Sequence, residues 1–167
     1  MTFAGAKLAL FLGADLLVIR RDDRPDIPWP DYWDLPGGGR EGAESPLACA
    51  LRETREEVGL TVAPGCVRHA SSYRRPAGRM WFFAGHLPAE TVREVRLGDE
   101  GQGWRLMTPG EYISHPRAVP HFATRLGLYL DSAGYRHRSA GQGDLSEAAR
   151  ESDHPRENPP RKTSGGR

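Results

Sequence analysis

Residues 37–60 read GGGREGAESPLACALRETREEVGL, and this stretch decides the fold. Ser45-Pro46 supplies an N-cap followed by proline at the first helical position, so a helix begins at Pro46. It runs to Val58, because Gly59 suits the left-handed residue that closes a helix and Leu60 supplies the hydrophobic contact that accompanies it. Leu47, Ala50, Leu51, Thr54 and Val58 share one face and are expected to pack inward. Glu53, Glu56 and Glu57 share another stripe. At about 100° per residue, Glu57 lies roughly 40° from Glu53, and Glu56 roughly 60° to the other side.

Like charges at this spacing repel by about 0.2–0.5 kcal/mol per pair, and the negative end of the helix dipole adds to the cost. A solvated face with Arg52 and Arg55 as partners is the ordinary reading of such a helix. The residues before it change the balance. Gly37-Gly38-Gly39 follows a short strand expected around Tyr32–Leu35, in a stretch whose Pro25, Pro28, Pro30 and Pro36 otherwise demand loop. Glycine backbone approaches a ligand closely and can turn its N–H groups toward an anion. An anion-friendly turn beside acids that a hard divalent cation would relieve is the pairing that phosphate chemistry needs.

Working outward, Lys7–Leu12 and Leu16–Arg21 form a hairpin around Gly13-Ala14-Asp15. Beyond the helix, Leu60–Ala63 is a candidate strand, and Arg68–Arg74 with Arg79–Leu87 make a second hairpin around Pro76-Ala77-Gly78. Gln102–Met107 is a further strand. Val119, Phe122, Leu126 and Leu130 stand at helical spacing, with Pro120 tolerated in the first turn of a last helix. Strands, helix, strands, helix imply an α+β or α/β/α arrangement.

The chain has 167 residues, the length of one domain with a tail. From Gly134 to Arg167 only Tyr135, Ala140, Leu145, Ala148 and Ala149 are apolar, so this segment is expected to be disordered and the domain to span residues 1–133. The 23 basic and 22 acidic residues leave a net charge of +1, which argues against a dedicated nucleic-acid binder. No apolar run reaches the roughly 18 residues of a membrane span. The short apolar run after Lys7 is interrupted by Asp15 with no cleavage site, and reads as a strand and not a signal peptide. Two cysteines, Cys49 and Cys66, are too few for a disulfide framework or structural zinc, and a cytoplasmic location is expected.

Gly38, five residues, Glu44, seven residues, then Arg52-Glu53-Thr54-Arg55-Glu56-Glu57-Val58-Gly59-Leu60 resembles the signature of the Nudix hydrolases. That signature is glycine, five residues, glutamate, seven residues, then R-E-U-x-E-E-x-G-U, with U bulky and aliphatic. Thr54 is the one departure. The flanking strands and closing helix also resemble the family's layout. The resemblance implies the Nudix fold, an α/β/α sandwich around a mixed β-sheet. It implies Mg²⁺- or Mn²⁺-dependent cleavage of a phosphoanhydride in a nucleoside diphosphate linked to a group X.

Residue roles follow from the resemblance position by position. Glu53, Glu56 and Glu57 would hold metal, and one of them, with Glu53 the candidate, would activate water. Arg52 would be structural, gripping a glutamate of the cluster, and Glu44 would help fix the loop, while Gly59 closes the motif. Gly38 and Gly39 would bring backbone to metal and phosphates. A further acidic ligand from a later loop would be Glu100, with Asp99 its alternative. Arg20, Arg21 or Arg40 would reach distal phosphates. Trp29, Tyr32, Trp33, Tyr73, Trp81, Phe82 and Phe83 are candidates for base stacking, although aromatics alternating on strands more often fill a core. Pro76, 16 residues after Leu60, is similar to a mark of ADP-ribose pyrophosphatases, but a turn alone explains it. The motifs of the NADH-cleaving and coenzyme A subgroups are absent. The expected partner is a nucleoside di- or triphosphate, with no nucleic acid and no membrane, in a monomer or homodimer. The expected activity is a nucleoside triphosphate pyrophosphohydrolase, including members that remove oxidised nucleotides. The alternatives are an ADP-ribose or nucleotide-sugar pyrophosphatase, or a non-catalytic nucleotide sensor.

Overall fold

A computed structural model describes residues 2–134. The tail expected to be disordered lies outside the described residues, apart from Gly134. Strand β1 (Gly5–Leu12) is buried along its whole length. Its even residues Leu8, Leu10 and Leu12 join one apolar cluster with Val58 and Leu60, and its odd residues Ala9 and Phe11 join another with Phe122 and Leu126. A strand apolar on both faces needs a layer on each side. Those layers are α1 (Pro46–Val58) and α3 (Pro120–Ser132). The result is the expected α/β/α sandwich.

The sheet is mixed. β1 pairs antiparallel with β2 (Asp15–Arg20) and in parallel with β6 (Gly78–Leu87). The second hairpin partner, β5 (Val67–Arg75), forms the outer edge beside β6. β7 (Gly103–Met107) covers the other side of β2. The feature that builds the site is a split. β1 and β2 pair only beside their turn, at Phe11 with Leu16 and Leu12 with Asp15. Farther along, β3 (Trp33–Asp34) pairs with β2, while β4 (Gly37–Gly39) pairs with β1 at Gly5–Lys7. The segment 33–39 therefore wedges between two diverging strands.

Helix α1 has the expected bounds. The Ser45 hydroxyl accepts the Ala48 N–H at 3.2 Å, and Gly59, at φ +72°, donates its N–H to the Arg55 carbonyl. Ala50, Thr54 and Val58 are buried as expected, Leu47 and Leu51 sit partly covered at the rim, and Cys49 is buried as well. Thr54 tolerates full burial because its hydroxyl donates to the Ala50 carbonyl at 2.7 Å.

The structure corrects two readings and adds two elements. Leu60–Ala63 is not a strand. Leu60 and Val62 do point inward, but the segment has no ladder partner and passes into a 3₁₀ turn at Pro64–Cys66. The three glycines are not only a turn, since they pair with β1. A six-residue helix, α2 (Pro109–Ser114), was not expected, although Thr108-Pro109 repeats the cap-then-proline signal and the Thr108 hydroxyl accepts the Glu111 N–H. A 3₁₀ segment at Ala89–Glu94 was likewise not expected.

Candidate active site

The last two turns of α1 face the wedge. Glu57 is half-buried, and its Oε2 accepts the Gly37 N–H at 2.8 Å. Burial pushes its carboxyl up to about 7, with the Lys7 ammonium and the Gly37 N–H holding it from rising further. Lys7 is the one charge in β1. Its Nζ donates to the Gly37 carbonyl at 2.6 Å, to the Leu35 carbonyl at 3.1 Å and to Asp34 Oδ2 at 2.9 Å. Asp34, also buried, takes the Arg21 Nη1 on the same oxygen at 2.6 Å and the Leu35 N–H on the other. Lys7 and Asp34 thus lock the turn that presents Gly37 to Glu57.

Arg52 organises the other acids. Its Nε and Nη2 donate to the two oxygens of Glu44 at 3.0 and 2.8 Å, a bidentate fork. Its Nη1 donates to Glu53 at 2.9 Å and to Glu56 at 3.0 Å, and Nη2 also reaches the Gly39 carbonyl at 3.0 Å. The Arg52 hydrogen bonds, helped by the Glu41 N–H, bring the Glu44 carboxyl down to about 2. Glu53 moves the other way, upward, because its burial outweighs the Arg52 contact. The Glu53 carboxylate lies against Gly38, where an added Cβ would fall 2.6 Å from its Cδ. The buried thiol of Cys49, pushed up to about 12 by burial, remains protonated and donates toward the Gly38 and Gly39 carbonyls.

A second segment completes the cleft. The Arg96 and Gly98 N–H groups donate to the Val58 and Glu57 carbonyls, satisfying backbone acceptors that the end of α1 leaves free. A Cβ on Gly98 would collide with the Glu56 carbonyl. This docking carries Asp99 and Glu100 to the cleft, and both line it. The cleft encloses about 740 Å³, with Glu53, Glu56 and Glu57 on one wall and Lys7, Arg21 and Arg40 among its cations. The Arg40 guanidinium stacks over Phe3 at 5.1 Å, and its buried Nε has no partner.

Arg20, expected at the phosphates, does not line the cleft. Strand alternation turns it to the α3 side, where it pairs with Asp31 at 2.7 Å over the Trp33 ring, and its neighbour Arg21 faces the cleft instead. Trp33, Tyr73, Phe82 and Phe83 are core residues. Sequence reading missed Lys7, whose signal was a lone charge in an apolar run, and missed Asp34 and Gly98, whose roles depend on contacts distant in sequence.

Hard oxygen donors dominate this cleft, and six carboxylates line it, which is the donor chemistry a magnesium- or manganese-sized ion selects. Among the described residues no three acids already converge as a closed cage. Arg52 draws Glu53 and Glu56 toward itself, and Gly37 holds Glu57.

A family model, the NUDIX domain, matches residues 2–126. The chain belongs to the Nudix family. An uncharacterised Nudix hydrolase of Pseudomonas aeruginosa is 29% identical over 133 residues, covering 77% of this chain and 78% of that protein. Another, from Listeria innocua, is 30% identical over 109 residues, covering 59% of this chain and 64% of its own length. The match thus spans less than two thirds of the Listeria relative. A crystal structure of a MutT protein from Methanosarcina mazei superposes with a TM-score of 0.64 at 19% identity, covering 80% of this chain and 96% of that one, a likeness of fold. Within this Nudix domain the stretch from Gly38 to Leu60 forms the rest of β4, the loop behind it and α1, and it supplies four of the six cleft carboxylates. Among the described residues no helix is long and apolar enough to cross a membrane.

Proposed function

We propose that this chain is a Mg²⁺- or Mn²⁺-dependent pyrophosphohydrolase that cleaves the phosphoanhydride of a nucleoside diphosphate linked to a further group, with nucleoside triphosphates its foremost substrates. The observation that carries this reading is one cleft in which the acids of α1 meet Asp99 and Glu100 beside Lys7, Arg21 and Arg40. Glu53, Glu56, Glu57 and Glu100, with the Gly38 carbonyl, are the groups that would hold the ion. A divalent cation there would neutralise phosphoryl oxygens and favour the leaving group. Arg52 keeps Glu53 and Glu56 aimed at the cleft, and Lys7 sets the turn on which Glu57 rests. Glu53 and Glu57 are both desolvated, which raises the proton affinity of each, that of Glu57 to about 7. Of these, Glu53 is the proposed acceptor of the water's proton; one of its oxygens is held by Arg52 and one of Glu57's by the Gly37 N–H. Arg40, with its unpartnered Nε, and Arg21 are placed to meet phosphate oxygens.

Phosphate or pyrophosphate release from a panel of nucleotides with Mg²⁺, in the wild type and in Glu57→Gln, tests the reading. Turnover of at least one nucleotide is expected, lowered by about 100-fold or more in the variant. Tight nucleotide binding without release from any member of the panel would instead mark a sensor and refute the hydrolase.

A further inference from the structure

The cleft does not stop at the carboxylates. Lys7 and Met80 line it too, and both belong to the α3 side of the sheet. Met80 packs against the α3-side core, and the Lys7 Nζ lies 5.3 Å from the Phe122 ring. Beside them stands a group of rings, of which Trp29, Tyr32 and His121 are partly exposed and Phe122 and Tyr73 are buried. His121 lies 4.1 Å from Phe122, 6.5 Å from Trp29 and 6.3 Å from Tyr73, centroid to centroid, and Trp29 lies 5.2 Å from Tyr32. Trp29 and Tyr32 pack against the same core as Met80 without being buried in it.

Two further observations set this cluster apart from ordinary core. Trp29 and Asp31, at φ +54° and +61°, are the non-glycine residues with left-handed backbone among the described residues. Such conformations persist where the surroundings enforce them. Here the Asp31 carboxylate does so, accepting from Arg20 at 2.7 Å, from Gln102 at 2.8 Å and from Arg117, so three segments fix the loop that displays Trp29. The second observation is a polar atom left over. Tyr73 is only 8% exposed, and its hydroxyl is buried with no hydrogen-bond partner, while Arg125 covers its ring at 4.3 Å. Buried hydroxyls are rarely left unpaired, and an orphan beside a cleft points to a ligand that pairs it. His121, held down to about 4 by burial and by Arg75, is a neutral ring at physiological pH, able to stack without adding charge.

We infer that Trp29, Tyr32 and His121 form the stacking wall for the substrate's nucleobase, and that the Tyr73 hydroxyl hydrogen-bonds the edge of that base. The phosphates then lie over α1 and the base on the α3 side, with the substrate crossing the open end of the sheet past Lys7 and Met80. The assignment rests on reading the cleft as a pyrophosphate site. It separates a nucleobase-bearing substrate from one recognised by phosphate alone.

Calorimetric titration in Mg²⁺ tests it, with the α,β-methylene analogues of ATP, GTP, CTP and UTP and with inorganic tripolyphosphate as the base-free probe. The wild type should bind at least one analogue more tightly than tripolyphosphate. Trp29→Leu should weaken that analogue by about tenfold or more and leave tripolyphosphate within about twofold. Tyr73→Phe should weaken the analogue several-fold without lowering Tm, since it deletes only an unpaired group. Equal loss for both probes, unchanged nucleotide binding in both variants, or a wild type indifferent to the base overturns the assignment. Turnover is scored separately. Base-dependent binding without release sinks the hydrolase and spares the stacking wall, whereas release that Trp29→Leu and Tyr73→Phe both leave intact does the reverse.

Discussion

Glu57 is held between two influences, since burial raises its carboxyl while the Lys7 ammonium and the Gly37 N–H lower it. Its carboxyl sits at about 7 in the fold against 4.5 for an ordinary glutamate. The folded state therefore keeps this proton to higher pH than the unfolded chain does. The resulting stabilisation is complete below about pH 4.5 and is lost as pH rises toward 7, by at most about 3 kcal/mol. In chelator, urea unfolding should accordingly give lower stability at about pH 8 than at about pH 5, and Glu57→Gln should flatten that slope. An unchanged slope in the variant would place its origin elsewhere. Gly38 offers a second test at the same scale. A methyl group there meets the mobile end of Glu53, and not backbone. Gly38→Ala should cost roughly 100-fold in turnover by displacing that carboxylate, while Tm stays within about 3 °C. A large drop in Tm would show the glycine to be structural instead.

Among the elements, α1 was the most legible, because every signal for it is local: a Ser-Pro start, a glycine stop and an apolar stripe between them. The same logic shows where reading failed. Leu60–Ala63 alternates as a strand does, yet alternation reports burial and not pairing, and no strand lies beside it. Helix α2 is six residues long, too short for a helical period to show. The glycines of β4 carry no side chains to signal a strand, and only the register with Gly5–Lys7 makes them one. The contact between α1 and the loop at Arg96–Gly98 was equally invisible, and it carries its own expectation. Gly98→Ala drives a Cβ into the Glu56 carbonyl, so the loop must lift and take Asp99 and Glu100 with it. Calorimetry should then give about tenfold weaker Mn²⁺ binding, with α1 helicity retained in circular dichroism. Unaltered Mn²⁺ affinity would remove this loop from the site.

For the molecule as a whole, the described residues from Phe3 to Leu130 supply an apolar cluster on each side of the sheet. A chain ending at Gly134 is expected to keep wild-type turnover and a Tm within about 3 °C, measured by phosphate release and thermal melting. Loss of either would give the tail a part in folding or catalysis. The α1 glutamates and the glycines that line the cleft were legible because they lie on one helix and the segment before it. Lys7 and Asp34 were not, because only the splayed sheet brings β1 and the 33–39 segment together at the cleft. That cleft is where acids of α1 should bind a divalent cation. Electron paramagnetic resonance of Mn²⁺ titrated into the wild type and into Glu56→Gln/Glu57→Gln tests this most directly. A saturable site in the wild type, weakened by about 100-fold or lost in the double variant, is the expected result. Equal Mn²⁺ binding by the two proteins, or none by either, contradicts it.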